Sequence, residues 1–134
     1  MMQWIVDTSA LYALVDRADI NHLRAKGFLR EQARPGSLLL SNHVFDETMT
    51  LVKLRLGMPV ARELGLRLRH SQLVEWVVLS SAEEQETWRV FSRHDDKSWS
   101  YTDCASLVLA RRRNIREAFA FDRHFAQMGL VMRP

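Results

Sequence analysis

Gln3-Trp4-Ile5-Val6-Asp7-Thr8-Ser9-Ala10-Leu11 decides the fold. The short, mostly apolar run from Gln3 to Val6 stops at an acid. Thr8 and Ser9 follow, and Leu11, Leu14 and Val15 then take up a helical spacing. An apolar run of this length with no polar alternation reads as a strand buried on both faces of a parallel sheet. The hydroxyl residues read as caps for the helix that follows.

The same order of elements recurs downstream. Leu38-Leu39-Leu40 predicts a second buried strand, and Ser41-Asn42 caps a helix that carries Glu47 to about Leu56. Residues 74–79 predict a third strand, followed by a helix opened by Ser81 with Glu83 and Glu84 in its first turn, where the dipole favours acids. Residues 118–121 predict a fourth strand, stopping directly at Asp122. A last short helix reaches Gly129, and residues 130–132 offer a fifth, edge strand.

Further helices fill the intervals. One covers residues 21–33, with Leu23, Phe28 and Leu29 on its apolar side and Pro35-Gly36 beyond it. Gly57 ends the Glu47 helix, and Pro59 sits in the first turn of the next, which runs to about His70. After a polar loop at residues 95–100, Thr102 caps a helix reaching Arg113 and Asn114. Strands alternating with helices require right-handed crossovers and a parallel sheet covered on both sides. The expectation is a single three-layer α/β domain over residues 1–134, with a central parallel sheet of four or five strands.

At 134 residues the chain has room for one core and not for two. No apolar run approaches the roughly 18 residues that span a bilayer, and Met1-Met2-Gln3-Trp4 lacks the charged-then-apolar pattern of a secretory leader. Cys104 is the single cysteine and has no internal partner for a disulfide, which points to the cytoplasm. The net charge is +3 and the lysines are only Lys26, Lys53 and Lys97, so the basic character is mostly arginine. Arginine's planar fork suits phosphate or carboxylate, in a nucleic acid or an acidic protein. A solvated basic surface accounts for the charge equally well.

Chemistry enters through four scattered carboxylates. Ligand sites in open parallel sheets lie beyond the carboxyl ends of the strands. Asp7 follows the first strand and Asp122 the fourth, which delivers both to one rim. Glu47 falls between Leu51 and Leu54 on the helical wheel, beside the apolar stripe, whereas Asp46 points with Thr50 and Lys53 to solvent. Asp103 shares a small, apolar face with Ser106, Leu107 and Ala110. Four acids in one cavity would repel one another, and a divalent cation removes that conflict. Oxygen ligands without a matching cysteine or histidine set select Mg²⁺ or Mn²⁺ over Zn²⁺; His22, His43, His70, His94 and His124 show no paired spacing. Two carboxylate-held ions about 4 Å apart suit in-line displacement at a phosphodiester.

Four motifs now stand in order: Ile5-Val6-Asp7-Thr8-Ser9-Ala10-Leu11, Val44-Phe45-Asp46-Glu47-Thr48, Tyr101-Thr102-Asp103-Cys104-Ala105-Ser106 and Phe121-Asp122-Arg123-His124-Phe125. Together they resemble the PIN domain, and specifically the VapC-type toxins of bacterial toxin–antitoxin pairs, across essentially the whole chain. The resemblance implies a PIN fold and Mg²⁺- or Mn²⁺-dependent endoribonuclease activity, with Asp7, Glu47, Asp103 and Asp122 as metal-binding acids. It also implies a homodimer and a small cognate antitoxin that inserts residues near the acids. Thr8, Ser9 and Thr102 are the supporting hydroxyls. One departure is Ala120, where many relatives carry Thr or Ser.

Candidate RNA contacts are Lys97 and Trp99 in the polar loop, Arg112 within Arg111-Arg112-Arg113, and Arg123. An ammonium or guanidinium would hold phosphate, and an indole would stack on an unpaired base. The competing reading has Trp99 and Tyr101 anchoring the loop, and the arginines complementing a helix C-terminus. Cys104 reads as a packing residue and not a nucleophile. Trp4, Trp76 and Trp88 read as core or interface residues. Three other functions stay open at this point: an RNA-processing nuclease without an antitoxin, a catalytically silent binding module, and a phosphotransferase with Asp7 as nucleophile. The last lacks a second acid two residues on, where Ser9 stands.

Overall fold

A computed structural model of the chain describes residues 2–134. Five strands run parallel in the order β3-β2-β1-β4-β5: β1 (Trp4–Val6), β2 (Leu38–Ser41), β3 (Val74–Val77), β4 (Glu117–Phe119) and β5 (Val131–Arg133). The residues suggested as an edge strand do form one, displaced by a single position and paired in parallel with β4.

The alternation of side chains across β1 and β2 divides the interior. Trp4, Val6, Leu38 and Leu40 face a layer formed by α1 (Thr8–Val15), α2 (His22–Gln32), α3 (Asn42–Leu56) and α4 (Met58–His70). Ile5 and Leu39 face the opposite layer, where Ala105 and Leu109 of α6 (Tyr101–Arg113) and Phe125 of α7 (His124–Gln127) cover them. Helix α5 (Ser81–Arg93) packs on the outside of α6 through Val90, against Trp99, Cys104, Leu107 and Val108. Both faces of the central strands are therefore closed, and this is why they carry no polar alternation.

Connectivity fixes where a ligand can enter. From β1 the chain steps to β2 and β3 on one side, then returns to β4 and β5 on the other. The order reverses between β1 and β4, and the helices leaving those two strands diverge there. The crevice lies beyond their carboxyl ends.

Three local expectations change. Asp7 itself caps α1, accepting a hydrogen bond from the Ser9 amide, so Thr8 and Ser9 lie within the first turn. Ser100 and not Thr102 caps α6, three residues before Asp103. Leu23 is 80% exposed, so the packing face of α2 is Ala25 and Phe28 with Leu29 beside them. Gly57 performs the predicted break: its φ of 95° lies where side-chain-bearing residues are strained, and the chain turns there from α3 into α4. No helix among the described residues is long and apolar enough to cross a membrane.

Candidate active site

Asp7, Glu47, Asp103 and Asp122 line one cavity of about 480 Å³ at the β1/β4 switch point. Asp7 is delivered by the end of β1 and is only 3% exposed. Its Oδ2 accepts from the Ser9 amide at 3.1 Å and the Ser9 hydroxyl at 2.5 Å. Burial nevertheless dominates and pushes its carboxyl up to about 7, with the charges of Asp103 and Glu47 adding to the rise.

Asp103 comes from the first turn of α6 and is 5% exposed. The Ser100 amide donates to its Oδ2 at 3.0 Å, while its own amide donates to the Ser100 hydroxyl at 3.0 Å. This reciprocal cap serves the helix and fixes the carboxylate at once. Asp122 stands three residues past β4, not at its last position, because pairing ends at Phe119. Its Oδ1 accepts from the His124 amide at 2.9 Å. Glu47 projects from α3 half-buried, with Leu51 beside it; Leu54, expected on the other flank, is 78% exposed.

The supporting hydroxyls separate. Thr8 and Thr48 share a buried hydrogen bond of 3.1 Å that ties α1 to the helix bearing Glu47. The Ser9 hydroxyl, while donating to Asp7, accepts from the Phe121 amide at 3.0 Å and so locks the loop that carries Asp122. Ala120 is fully buried among apolar neighbours, and Ser9 supplies the hydroxyl near that loop. Thr102 does not line that cavity; it borders an adjoining outer depression with Asp46, Thr50 and Leu54, whose wall includes Glu47 and Leu51 as well.

Sequence spacing gave no histidine a place here, and the structure gives one to His124. Its Nδ1 lies 2.9 Å from Asp103 Oδ2 and 3.3 Å from Asp122 Oδ1, bridging acids from two elements. One ligand atom from each of Asp103, Asp122 and His124 falls within 4.8 Å of the others. That cluster could hold one divalent cation: its carboxylates suit Mg²⁺ or Mn²⁺, and its imidazole is a donor that Zn²⁺ accepts as well. The signal in the sequence was its place two residues after Asp122. Arg55 was also passed over; it lines the cavity from α3, eight residues after Glu47 and about 80° round the helix from it.

The suggested RNA contacts fare unevenly. Trp99 is 9% exposed, its indole N–H donating to Gln127 Oε1 at 2.9 Å, so it anchors the loop and presents no stacking face. Arg112 sits at the far end of α6 and pairs with Glu86 at 2.6 Å. Lys97 lies 3.7 Å from Asp96 on the loop. Arg123 is exposed between Asp122 and His124. Cys104 is fully buried, and burial pushes its thiol up to about 11, which suits packing and not attack. Trp4 is buried, whereas Trp76 and Trp88 are partly open to solvent at 37% and 60%.

Comparison with known proteins agrees with the fold. The family model described as PIN domain matches residues 4–130, from the first residue of β1 to the last before β5. The chain belongs to the PIN domain family. Among curated relatives of this PIN domain, the 23S rRNA-specific endonuclease VapC20 of Mycobacterium tuberculosis is 34% identical over 126 residues, 94% of each chain. The ribonuclease VapC26 of the same organism is 32% identical over 127 residues, 92% of this chain and 90% of that one. The crystal structure of VapC20, described as a Sarcin-Ricin loop cleaving toxin, superposes with a TM-score of 0.90 at 32% identity, covering 98% of this chain and all of that one. The DNA-bound VapBC of Salmonella typhimurium shares the fold at a TM-score of 0.66 and 13% identity, covering 99% and 98%.

Proposed function

We propose that this PIN domain is an endoribonuclease that cleaves single-stranded or loop RNA with Mg²⁺ or Mn²⁺, and that it acts as the toxin of a toxin–antitoxin pair. The observation that carries the reading is the convergence of Asp7, Glu47, Asp103 and Asp122 on one cavity, with His124 bridging two of them. Asp103, Asp122 and His124 would hold one ion, in a cavity that Asp7 and Glu47 also line. A divalent ion held there would activate water for attack at neutral pH and offset the charge that builds up at the phosphodiester.

The chain's own residues do the rest. Ser9 holds the Asp7 carboxylate by two hydrogen bonds, and Ser100 holds that of Asp103, so each keeps its direction. The Thr8–Thr48 and Ser9–Phe121 bonds keep the elements carrying the acids in register. Such preorganisation is what separates a nuclease site from a loose acidic patch.

Support for the substrate class comes from the relatives named as acting on 23S rRNA or as ribonucleases. A fold neighbour solved as a VapBC complex supports a small antitoxin partner. A homodimer is part of the same proposal, supported by apolar side chains left exposed on α3 and α5: Leu54, Trp88 and Phe91. The cytoplasm keeps the unpaired Cys104 reduced.

The test is incubation of the protein with an RNA hairpin carrying an exposed ribosomal loop. Cleavage is expected with Mg²⁺ or Mn²⁺ and is expected to vanish in EDTA or on Asp103→Asn. Cutting that persists undiminished in EDTA, or in the folded variant, overturns the mechanism. A small reading frame beside the gene, whose product suppresses the cleavage, separates the toxin reading from an RNA-processing one.

A further inference from the structure

A cavity lined by four carboxylates repels a polyanion, so RNA needs cations at the rim to approach it. Of the arginines singled out in the sequence, Arg112 is paired with Glu86 and Arg113 with Glu75, which leaves the exposed Arg123, next to Asp122, as a single charge near the acids. Two other arginines each lie over an aromatic ring of the cavity wall. The Arg55 guanidinium lies 5.3 Å from the centroid of Tyr12, and that of Arg24 lies 5.5 Å from the centroid of Phe121. Both rings line the acidic cavity, as does Arg55 itself.

We propose that Arg55 on Tyr12 and Arg24 on Phe121 form a phosphate-gripping rim that seats single-stranded RNA across the acids. The inference rests on the nuclease reading above and adds to it which residues hold the substrate. Stacking on a ring fixes the plane of a guanidinium and leaves its edge N–H groups free to bond a phosphate in two places. Tyr12 is in turn held by its hydroxyl, which donates to Asp16 at 2.7 Å. Among the described residues Arg55 has no carboxylate within ion-pair distance, although its charge acts on the Asp16 carboxylate that Tyr12 holds. Arg24 donates to a terminal oxygen of Pro134 at 2.9 Å and to Asn21 at 3.4 Å, and three of its five N–H groups remain for a phosphate.

The spacing suits a chain of phosphates. Arg55 lies two helical turns beyond Glu47, about 12 Å along α3. It therefore reaches a phosphate flanking the one at the acids, not the scissile group itself. Arg24 and Phe121 stand beside Asp122, on the loop side of the cavity. RNA gripped at these two places lies across the carboxylates with the scissile phosphate between.

The experiment measures binding of a labelled single-stranded RNA to the Asp103→Asn protein, which leaves the probe uncut, over a range of salt concentrations. Arg55→Ala and Arg24→Ala are each expected to weaken binding about tenfold and to lower the slope of log K against log salt by about 0.7, one phosphate contact for single-stranded nucleic acid. Arg55→Lys should keep the slope while losing part of the affinity, because it retains the charge and not the fork. Arg112→Ala should match the parent. In the active protein Arg55→Ala should raise KM and leave kcat within about twofold. Unchanged affinity and slope in both alanine variants, in a protein that still cuts RNA, overturn the rim alone. A parent protein that neither binds nor cuts RNA overturns the nuclease reading with it.

Discussion

Asp7 shows how a single residue joins function to instability. Its carboxyl is buried and lifted to about 7, whereas an aspartate in the unfolded chain ionises near 3.8. Between those values the unfolded chain gives up its proton and the folded one keeps it. Stability of the ion-free protein therefore falls as pH rises from about 4 to about 7, and the loss is complete above that. Three units correspond to a penalty on the order of 4 kcal/mol. Asp7→Asn keeps an acceptor for Ser9 and removes the charge. In chelator at pH 8 it is expected to melt about 5 °C or more above the parent, to melt with the parent near pH 4, and to have lost cleavage. A variant less stable than the parent at pH 8 would refute this account. His124 makes the complementary case, since it stands between two of the acids. His124→Ala frees the Asp103 and Asp122 carboxylates from their common neighbour. Mn²⁺ affinity, read by calorimetry, should fall about 10- to 100-fold; equal affinity would remove His124 from the site.

At the scale of elements, the caps show what one-dimensional reading captures and where it stops. Strand and helix order was legible because buried parallel strands and amphipathic helices differ in period, and all five strands were found where apolar runs stand. Asp7 and Asp122 were legible as acids after strands. Glu47 was legible as an acid beside an apolar stripe, even though Leu54 lies outside that stripe. Boundaries were less so: Ser100-x-x-Asp103 is a capping-box spacing, yet Thr102, adjacent to Asp103, drew the assignment instead. The Arg55–Tyr12 and His124–Asp103 pairings were not legible at all. They join segments many residues apart, and only the crossing of α1 over α3 and of α7 beside α6 brings them together. Ser100→Ala tests the cap directly. It removes the acceptor for the Asp103 amide and should cost about 1 kcal/mol in denaturant unfolding. Cleavage should fall less than in Asp103→Asn, because the residue 100 amide and His124 still hold the carboxylate. Loss of activity as complete as in Asp103→Asn would mean that the hydroxyl does more than cap.

For the molecule as a whole, the chain carries a net charge of +3 but gathers four acids at the one place where its strand order reverses. That concentration opposes folding, because acids spread over several elements converge only once the sheet is assembled. An ion that binds the assembled site and not the unfolded chain must stabilise the fold in proportion to its occupancy, by about 2.7 kcal/mol at a hundred times its dissociation constant. Adding Mn²⁺ to chelator-treated protein is thus expected to raise the melting temperature by several degrees, more at pH 8 than at pH 5, where Asp7 is largely protonated and the conflict weaker. In Asp7→Asn the rise should shrink, since one of the mutually repelling groups is gone before the ion arrives. A wild-type melting temperature indifferent to Mn²⁺ at both pH values would show that the acids are held apart by the protein alone. The fold would then owe nothing to a cation.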